Sequence, residues 1–407
     1  MVSRTPLRPG SRPAAARPRG PVRGVALARR RPVVLNPFAS DSPRISALIS
    51  IVGALTGFGL IEVLSASSVS SGLDNGGNFL YDAAMQTGGA MIGIVLALMI
   101  SRFPIDVWHN WRNRFVIVGV VLQALVLFTP LGVEYGGNRN WLDIGFTTIQ
   151  PSEFLKLAII VWFASWFHDN EHLVDWPLSQ WGEAGIWVGI PVVMVVGGQD
   201  LGTTIILGLI VLGMMAFAGV PSRTLWGIAA LVSMAAFVFI SFSASRRDRF
   251  VSWFQGCSPE DYESICWQTM HGLWALSSGG LTGLGPGSSR AKWSWLPHAD
   301  SDYIFAIIGE ELGLLGAIAL LLLILALAVV FVRLIREFPQ PLTRVLLGGV
   351  FVWLIGQSLV NIAVVLNLLP VLGVPLPFIS SGGSAILANL LAIGVVISCV
   401  RHEEKFG

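Results

Sequence analysis

Charge is scarce in this sequence. Of its 407 residues only 12% are charged while 54% are hydrophobic, and the mean hydropathy is +0.70. Soluble domains carry about 25% charged residues, which help to cover their surface. The composition therefore excludes a soluble globular protein and predicts an integral membrane protein.

Residues that bind transition metals are also few. The chain has 3 cysteines and 6 histidines. A metal site that used Cys257 and Cys266 would need further ligands, and His271 and His298 do not fall at a spacing familiar from zinc sites. The sequence thus supplies no complete metal shell.

Long apolar runs take the place of the missing charge. A membrane-spanning helix needs about 20 mostly apolar residues, and the sequence contains ten such runs. They predict an all-α integral membrane protein with ten transmembrane helices. The runs cover residues 45–66, 82–101, 115–130, 152–168, 185–197, 201–218, 223–243, 303–332, 343–367 and 385–400.

Lys and Arg are distributed unevenly between these runs. If the N-terminus is cytoplasmic, the inner segments hold 19 of the 26 and the outer segments hold six. This asymmetry follows the positive-inside rule, so we expect both termini in the cytoplasm. The membrane domain at 45–400 then follows a disordered, Arg- and Pro-rich tail at 1–44 and precedes a short tail at 401–407. The inner segment 169–184 is an exception to the positive-inside rule, because it is acidic. The largest outer loop spans 244–302.

That outer loop contains two cysteines and five tryptophans. Because Cys257 and Cys266 lie on the oxidising side, we predict a disulfide between them, whereas Cys399 is expected to be a buried hydrophobic residue. The tryptophans have two possible roles, interfacial anchoring and stacking on sugar rings. They are Trp253, Trp267, Trp274, Trp293 and Trp295.

Charged residues near the start of two helices have ordinary structural interpretations. Glu153 and Lys156 are three residues apart, so they share a helix face and can form an ion pair as the helix enters the membrane. Asp200 directly precedes the run 201–218 and is predicted to cap that helix. None of these patterns alone indicates chemistry.

The stretch that ends the outer loop is less ordinary. A glycine-rich run at 283–287 has no strand before it, which excludes a Rossmann site and favours close approach of the backbone to a ligand. Asp302 then stands where the eighth run begins, and its local interpretation is again a helix cap. Glu310 and Glu311 lie deeper in that run, where carboxylates are costly and usually mark a site.

Taken together, these motifs resemble those of the FtsW/RodA family of shape, elongation, division and sporulation proteins. The resemblance extends over essentially all ten helices and favours the cell-division FtsW branch. It rests on Gly136–Trp141, Gln150–Lys156, Gln199–Thr204, Gly283–Lys292, Leu296–Tyr303, Gly309–Gly313 and Leu369–Ser384, which occur in family order.

The resemblance implies a role for each motif. It makes Asp302 the catalytic base and Asp200, Glu310 and Glu311 supporting residues. Because carboxylates inside the membrane are costly, we expect the two glutamates to pair with cations such as Lys156 or to be protonated. The residues that it implies in substrate binding are Arg139, Glu153, Lys156, Gln268, Ser289, Lys292, Ser380 and Ser384.

The family polymerises peptidoglycan from lipid II at the outer face of the bacterial cell membrane. The implied reaction is inverting: the acceptor's GlcNAc 4-hydroxyl attacks the anomeric carbon of the chain's terminal MurNAc, and undecaprenyl pyrophosphate leaves. No soluble cofactor is needed, although a divalent cation could assist the leaving group. The alternatives are a lipid II flippase and a scaffold that only recruits a transpeptidase.

The resemblance also implies partners. These are lipid II, the nascent glycan strand, other division proteins and a class B penicillin-binding protein, with no nucleic acid. The single helix of that transpeptidase is expected against helices eight and nine, where small residues would allow close packing. These residues are Gly313, Gly316, Ala317, Gly348 and Gly349.

Overall fold

The computed structural model describes residues 42–135, 137–145, 147–171, 181–241, 244–257, 261–264 and 266–406. Most of the predicted tail at 1–44 lies outside the described residues, as does residue 407. The domain boundaries drawn from the sequence therefore stay a prediction.

Helices make up most of the described chain. The first half contains α1 (Pro43–Ala66), α2 (Ser68–Asp74), α3 (Tyr81–Ile100), α4 (Ile105–Phe128), α5 (Pro151–Asp169), α6 (Gly182–Gly197) and α7 (Leu201–Ala218). The second half contains α8 (Ser222–Ser241), α9 (Ala244–Gln255), α10 (Trp267–Ser278), α11 (Ile304–Glu337), α12 (Pro341–Phe351), a π-helical turn (Val352–Gly356), α13 (Gln357–Val365) and α14 (Gly383–Phe406).

A helix stands at each of the ten predicted runs, with α12, the π-helical turn and α13 forming one of them. Eight helices of the described chain are long and apolar enough to cross a membrane. At the other two predicted runs, α6 has only 16 residues, and α5 carries Glu153 and Lys156 in its first two turns. The count of ten spans and the orientation of the termini stay predictions.

Helix α5 is the centre of the bundle. It packs against α4, α6, α7, α12 and α14, and its side chains are buried around the whole circumference. By contrast, α8 has no buried residue. A helix that is apolar all round belongs either in a core or in lipid, and these two helices represent the two cases.

The segments predicted on one side of the membrane meet in space. Arg44 forms ion pairs with Glu337 and Glu404, which places the start of α1 beside the ends of α11 and α14. Arg112 pairs with Asp169, so at least one acid of the unexplained segment 169–184 neutralises a neighbouring arginine. We call this the terminal end of the bundle.

The opposite end carries the long connections, and we call it the loop end. It includes a three-stranded antiparallel sheet, ordered β1 (Gly132–Tyr135), β2 (Asn138–Asp143) and β3 (Thr148–Ile149). The expectation of an all-α fold was wrong on this point, because strands this short leave little alternation to detect. The sheet closes the link between α4 and α5.

Helix α11 is broken at Gly313, whose φ of 68° and ψ of −166° are not helical. The break leaves backbone groups of α11 without helical partners, and these groups form hydrogen bonds with the glycine-rich loop, taken here as residues 280–287. Leu284 N and Gly285 N donate to the carbonyls of Glu310 and Glu311, at 3.0 Å each. On the other side of the break, Leu314 N and Leu315 N donate to the carbonyls of Gly280 and Leu281, at 2.9 and 3.2 Å. Such replacement is what a broken helix at membrane depth requires.

The small residues expected at a partner interface are used inside the chain. A Cβ at Gly348 would collide with the ring of Phe217, and one at Gly349 would lie 2.9 Å from the sulfur of Met214. Gly348 and Gly349 are therefore packed from within the chain, and the contact of a partner helix with helices eight and nine stays a prediction. The exposed face of α11 consists of larger residues, namely Leu314, Leu315, Ile318, Leu321, Leu322, Leu325 and Val329.

Candidate active site

Asp302 lies at the loop end, in the turn that leads into α11. The N-cap of α11 is Tyr303, and no side chain caps the helix, so the interpretation of Asp302 as a helix cap was wrong. Its backbone carbonyl accepts a hydrogen bond from Asn361 Nδ2 at 2.8 Å. Its carboxylate makes no hydrogen bond within the described chain. The backbone is thus fixed while the carboxylate is left free.

The surroundings of this carboxylate favour the protonated form. Burial is the main reason that the pKa of Asp302 rises to about 6; Asp300 and Asp200 raise it further, and His298 lowers it. A general base works best when its pKa lies near the operating pH. Gly373 allows close approach from the other side, since a Cβ there would lie 3.6 Å from Asp302 Oδ2 and its φ is +69°.

Ser380 holds the Asp302 turn in place. Its hydroxyl donates to the carbonyl of Ser301 at 2.6 Å and accepts from Leu376 N at 2.7 Å. Beside it, Ser381 N donates to the carbonyl of Asp300 at 2.9 Å. The proline- and serine-rich link before α14 therefore holds the Asp302 turn in place, which the sequence motif did not reveal.

Two cavities lie near the Asp302 turn: His298 lines the larger one, and Leu372, which precedes Gly373, lines the smaller one. The larger, of about 670 Å³, is lined by Arg249, Glu263, Ser264, Trp267, Gln268, Pro297, His298 and Val371. The smaller, of about 150 Å³, is lined by Gly137, Asn138, Gln199, Leu201, Ile240, Arg246, Arg249, Phe250, Pro370, Val371 and Leu372. Arg249 and Val371 border both cavities.

Two arginines of α9 give these cavities positive charge. Arg246 and Arg249 are one helical turn apart, and Arg246 donates to the carbonyl of Gln199 at 2.7 Å. The arginine cluster is visible in the sequence as one of the convergent charged groups of the outer links, but substrate binding was not predicted for either arginine or for His298. Their spacing of three on a helix was the signal that could have found them.

Asp200 caps α7, as predicted: its carboxylate accepts from Thr203 N at 2.8 Å. Burial raises its pKa, and its hydrogen bonds to Thr203 lower it. Gln150 connects this cap to the next element, because Gln150 N donates to Ser384 Oγ at 3.1 Å and its side-chain amide reaches Asp200 at 3.5 Å. Ser384 thus serves the start of α5.

The predicted pair of Glu153 and Lys156 forms. Lys156 Nζ donates to Glu153 Oε1 at 2.8 Å and to Gln357 Oε1 at 2.9 Å, and all three side chains are buried. Gln357 in turn donates to the carbonyl of Pro375 at 2.8 Å. The pair therefore supports, from below, the segment that borders Asp302.

Glu311 pairs with Lys292 rather than with Lys156, which corrects the expected partner. The Lys292 ammonium donates to Glu311 Oε1 at 3.1 Å, to the carbonyl of Gly287 at 2.8 Å and to the hydroxyl of Ser65 at 3.2 Å. Ser65 Oγ and Gly287 N also donate to the Glu311 carboxylate. This cluster joins α1, the glycine-rich loop and α11.

Glu310 holds the same loop through hydrogen bonds and forms no ion pair within the described ranges. It accepts hydrogen bonds from Ser289 Oγ and from the backbone amides of Arg290 and Ala291, the latter two at 3.1 and 3.3 Å. Ser289, expected to contact substrate, is 1% exposed. The carboxylates of Glu310 and Glu311 therefore both hold the loop in place by accepting hydrogen bonds from it.

Arg139 is also engaged by the protein. It lies on β2, and its guanidinium donates to the carbonyls of Val126 and Thr129 at 2.9 and 2.6 Å. Val126 lies in the last turn of α4 and Thr129 is its C-cap residue, so the guanidinium binds carbonyls at the end of the helix, where cations are favourable. Asn140 is buried, and a Cβ at Gly198 would collide with its Oδ1.

Of the eight residues implied in substrate binding, Gln268 borders a cavity, and its side chain also donates to the carbonyl of Pro297 at 3.2 Å. The other seven side chains bond to protein, so their contact with substrate stays a prediction. Cys257 and Cys266 are joined by a disulfide, and Cys399 is buried. No cluster of three His, Cys, Asp or Glu residues in the described ranges could hold a metal ion.

Comparisons with known proteins agree with the sequence motifs. Residues 46–405 match the FtsW/RodA/SpoVE family, described as "Cell cycle protein". The chain is 34% identical over 368 residues to the probable peptidoglycan glycosyltransferase FtsW of Mycobacterium tuberculosis, covering 88% of this chain and 68% of the relative. It is 32% identical over 361 residues to stage V sporulation protein E of Bacillus subtilis, covering 88% and 97%.

Solved structures share the fold. One is a chain from a study of polymerization and crosslinking by a peptidoglycan synthase complex, with a TM-score of 0.71, 22% identity and coverage of 89% of this chain and 98% of that chain. Another is the rod shape determining protein RodA of Thermus thermophilus, with a TM-score of 0.65, 22% identity and coverage of 91% and 99%.

Proposed function

Since the chain belongs to the FtsW/RodA/SpoVE family of cell cycle proteins, we propose that it is a peptidoglycan glycosyltransferase that polymerises lipid II. The observation that carries this proposal is the free, partly buried carboxylate of Asp302, whose electrostatic neighbour His298 lines the larger of two cavities that share Arg249. An acid without a structural partner at such a place is available for chemistry.

In the proposed reaction Asp302 is the general base. It accepts the proton of the acceptor's GlcNAc 4-hydroxyl while that oxygen forms a bond to the anomeric carbon of the chain's terminal MurNAc. The bond from that carbon to the pyrophosphate oxygen breaks, and undecaprenyl pyrophosphate leaves with the electron pair. Attack opposite to the leaving group inverts the anomeric centre. The raised pKa supports this role, because a base with a pKa of about 6 is both ionised and effective at neutral pH.

We assign the pyrophosphate to Arg246 and Arg249 in preference to Arg139 and Lys292. Arg246 and Arg249 border the cavities. By contrast, the guanidinium of Arg139 binds carbonyls at the end of α4, and the ammonium of Lys292 forms an ion pair with Glu311. Guanidinium groups bind phosphate oxygens in a bidentate manner, which would orient the leaving group. No divalent cation is required by this assignment.

The remaining parts of the proposal concern membrane and partner. We propose ten spans, cytoplasmic termini and a loop end that faces the outside of a bacterial cell. The separation of the loop end from the Arg-rich terminal end supports this orientation. A class B penicillin-binding protein is the proposed partner, with its helix against the exposed leucine-rich face of α11.

The test is a gel that counts glycan strands made from labelled lipid II by purified protein in detergent, alone and with a class B transpeptidase. Asp302→Asn should reduce polymerisation by about 100- to 10,000-fold, since a general base contributes that much to rate. Asp300→Asn is the matched control, because it removes a neighbouring carboxylate and should leave strands visible.

Equal strand yields from wild type and Asp302→Asn would remove Asp302 from the chemistry. Absence of strands from an intact wild-type complex would favour the competing function, a lipid II transporter, because detergent abolishes flipping but not polymerisation.

A further inference from the structure

An aromatic cluster lies beside the larger cavity. Trp267, His271 and Trp274 are spaced by four and three residues, so they share one face of α10. Trp295, from the loop after α10, stacks on two of them: its ring centroid lies 6.0 Å from that of Trp267 and 5.9 Å from that of His271, at interplanar angles of 18° and 15°. We call these four residues the aromatic face.

The aromatic face is fixed to the catalytic turn. α10 starts directly after Cys266, whose disulfide to Cys257 restrains its first turn. Farther along α10, Gly272 packs on the ring of Tyr303, and a Cβ there would lie 2.6 Å from the ring. Because Tyr303 follows Asp302 in sequence, the aromatic face holds a defined position relative to the proposed base.

The aromatic face is exposed even though its rings stack. Trp274 and Trp295 are 49% and 56% exposed, and Trp267 also lines the larger cavity. The same cavity presents polar groups from Gln268 and Glu263. An apolar ring face next to hydrogen-bonding groups is what a pyranose ring requires, since its C–H face is apolar and its hydroxyls are polar.

Interfacial anchoring is the alternative role for these tryptophans. Anchoring requires only that an amphipathic ring lie at the depth of the headgroups, and it needs no stacking partner or cavity. Trp293 fits that description: it is 64% exposed and stacks on no aromatic ring in the described chain. Trp267 and Trp295 differ, because their rings stack on each other and Trp267 borders a cavity that His298 also lines.

We propose that the aromatic face is a binding subsite for the nascent glycan strand, whose sugar rings stack on Trp295 and Trp267 as the strand leaves the active site. This inference rests on the proposed function, because a strand is the product of that reaction. A subsite that holds the strand between additions lowers its release relative to the next transfer. The aromatic face therefore sets the length of the strands rather than the chemistry of the bond.

The experiment compares strand lengths from Trp295→Ala and Trp293→Ala at equal consumption of labelled lipid II. An aromatic contact contributes about two- to tenfold in affinity, so Trp295→Ala should shorten the mean strand by a similar factor. Trp295→Phe, which keeps a ring, should restore most of the length, and Trp293→Ala should match wild type. A second readout is quenching of tryptophan fluorescence by a soluble peptidoglycan tetrasaccharide, which Trp295→Ala should weaken.

Two outcomes overturn the inference. Unchanged strand lengths and unchanged tetrasaccharide binding in Trp295→Ala would show that no sugar rests on the aromatic face. Equal shortening by Trp293→Ala and Trp295→Ala would indicate interfacial anchoring. If wild type makes no strands, the proposed function fails, whereas tetrasaccharide binding that depends on Trp295 would still support a sugar subsite.

Discussion

Lys292→Met tests whether the cluster around Glu311 holds the loop end together. In the wild-type chain the ammonium has four hydrogen-bond partners and its side chain is 5% exposed, while that of Glu311 is 1% exposed. Methionine retains the apolar stem of lysine and loses the charge. The substitution therefore leaves the Glu311 carboxylate buried without a cation.

Removal of one partner of a buried ion pair costs about 3–5 kcal/mol, because the other charge stays desolvated. Glu311 keeps its bonds from Ser65 Oγ, Gly287 N and Ser289 N, which offset part of that loss. We therefore expect a value near the lower bound, about 3 kcal/mol. Glu311→Gln in the Lys292→Met background removes the stranded charge and should recover about 1–2 kcal/mol.

Cys399 provides the assay. It is a free, buried thiol in α14, so a thiol-reactive dye labels it when the protein unfolds. With the unfolding entropy per residue of soluble domains, about 3 kcal/mol corresponds to a fall of about 4 °C in the midpoint. Arg290→Met is the matched control, since it removes one exposed charge two residues away and should leave the midpoint unchanged.

The reasoning is refuted if Lys292→Met and Arg290→Met unfold at the same temperature. It is also refuted if Glu311→Gln further destabilises the Lys292→Met variant, because the cost would then not come from a stranded charge.

Three further predictions follow from the site and the helix break. As pH falls below about 6, protonation of Asp302 should lower kcat/KM tenfold per pH unit. Asp300→Asn removes a like charge, so it should move this fall in the pH–rate profile to lower pH. A shift of the fall to higher pH in this variant would contradict the assignment. Gly313→Ala should cost at least about 3 kcal/mol by the dye assay, because its added Cβ would lie 2.6 Å from Leu281 O at a positive φ, whereas Gly53→Ala, with open space, should not destabilise. Loss of the disulfide in Cys257→Ser should cost about 3 kcal/mol if the loop-closure entropy is realised; two free thiols in a non-reduced wild-type peptide would show that the disulfide is absent.

Local patterns predicted what depends on neighbours in sequence. The positions of the long helices follow from apolar runs, the cap at Asp200 from its place before α7, and the pair of Glu153 and Lys156 from a spacing of three. Each of these features is decided within one or two helical turns.

Features that join distant segments could not be predicted in this way. Glu311 bonds to Ser65, 246 residues away in sequence, so nothing near Glu311 distinguishes Lys292 from Lys156 as its partner. The role of Arg139 at the end of α4 and the hydrogen bond from Ser380 to Ser301 likewise arise from tertiary contacts. A family motif identifies candidate functional residues, but it does not specify their tertiary contacts.

The break in α11 has a mechanical consequence. The glycine-rich loop forms hydrogen bonds to backbone carbonyls that precede Gly313 and to backbone amides that follow it, so it connects the two segments of α11 across the break. Rotation of the lower segment, Leu314–Glu337, has to shift the two hydrogen bonds that Leu314 N and Leu315 N donate to Gly280 and Leu281. The tilt of that segment and the position of the loop therefore form a single degree of freedom, and a force on its exposed leucines is transmitted to the loop that Lys292 anchors.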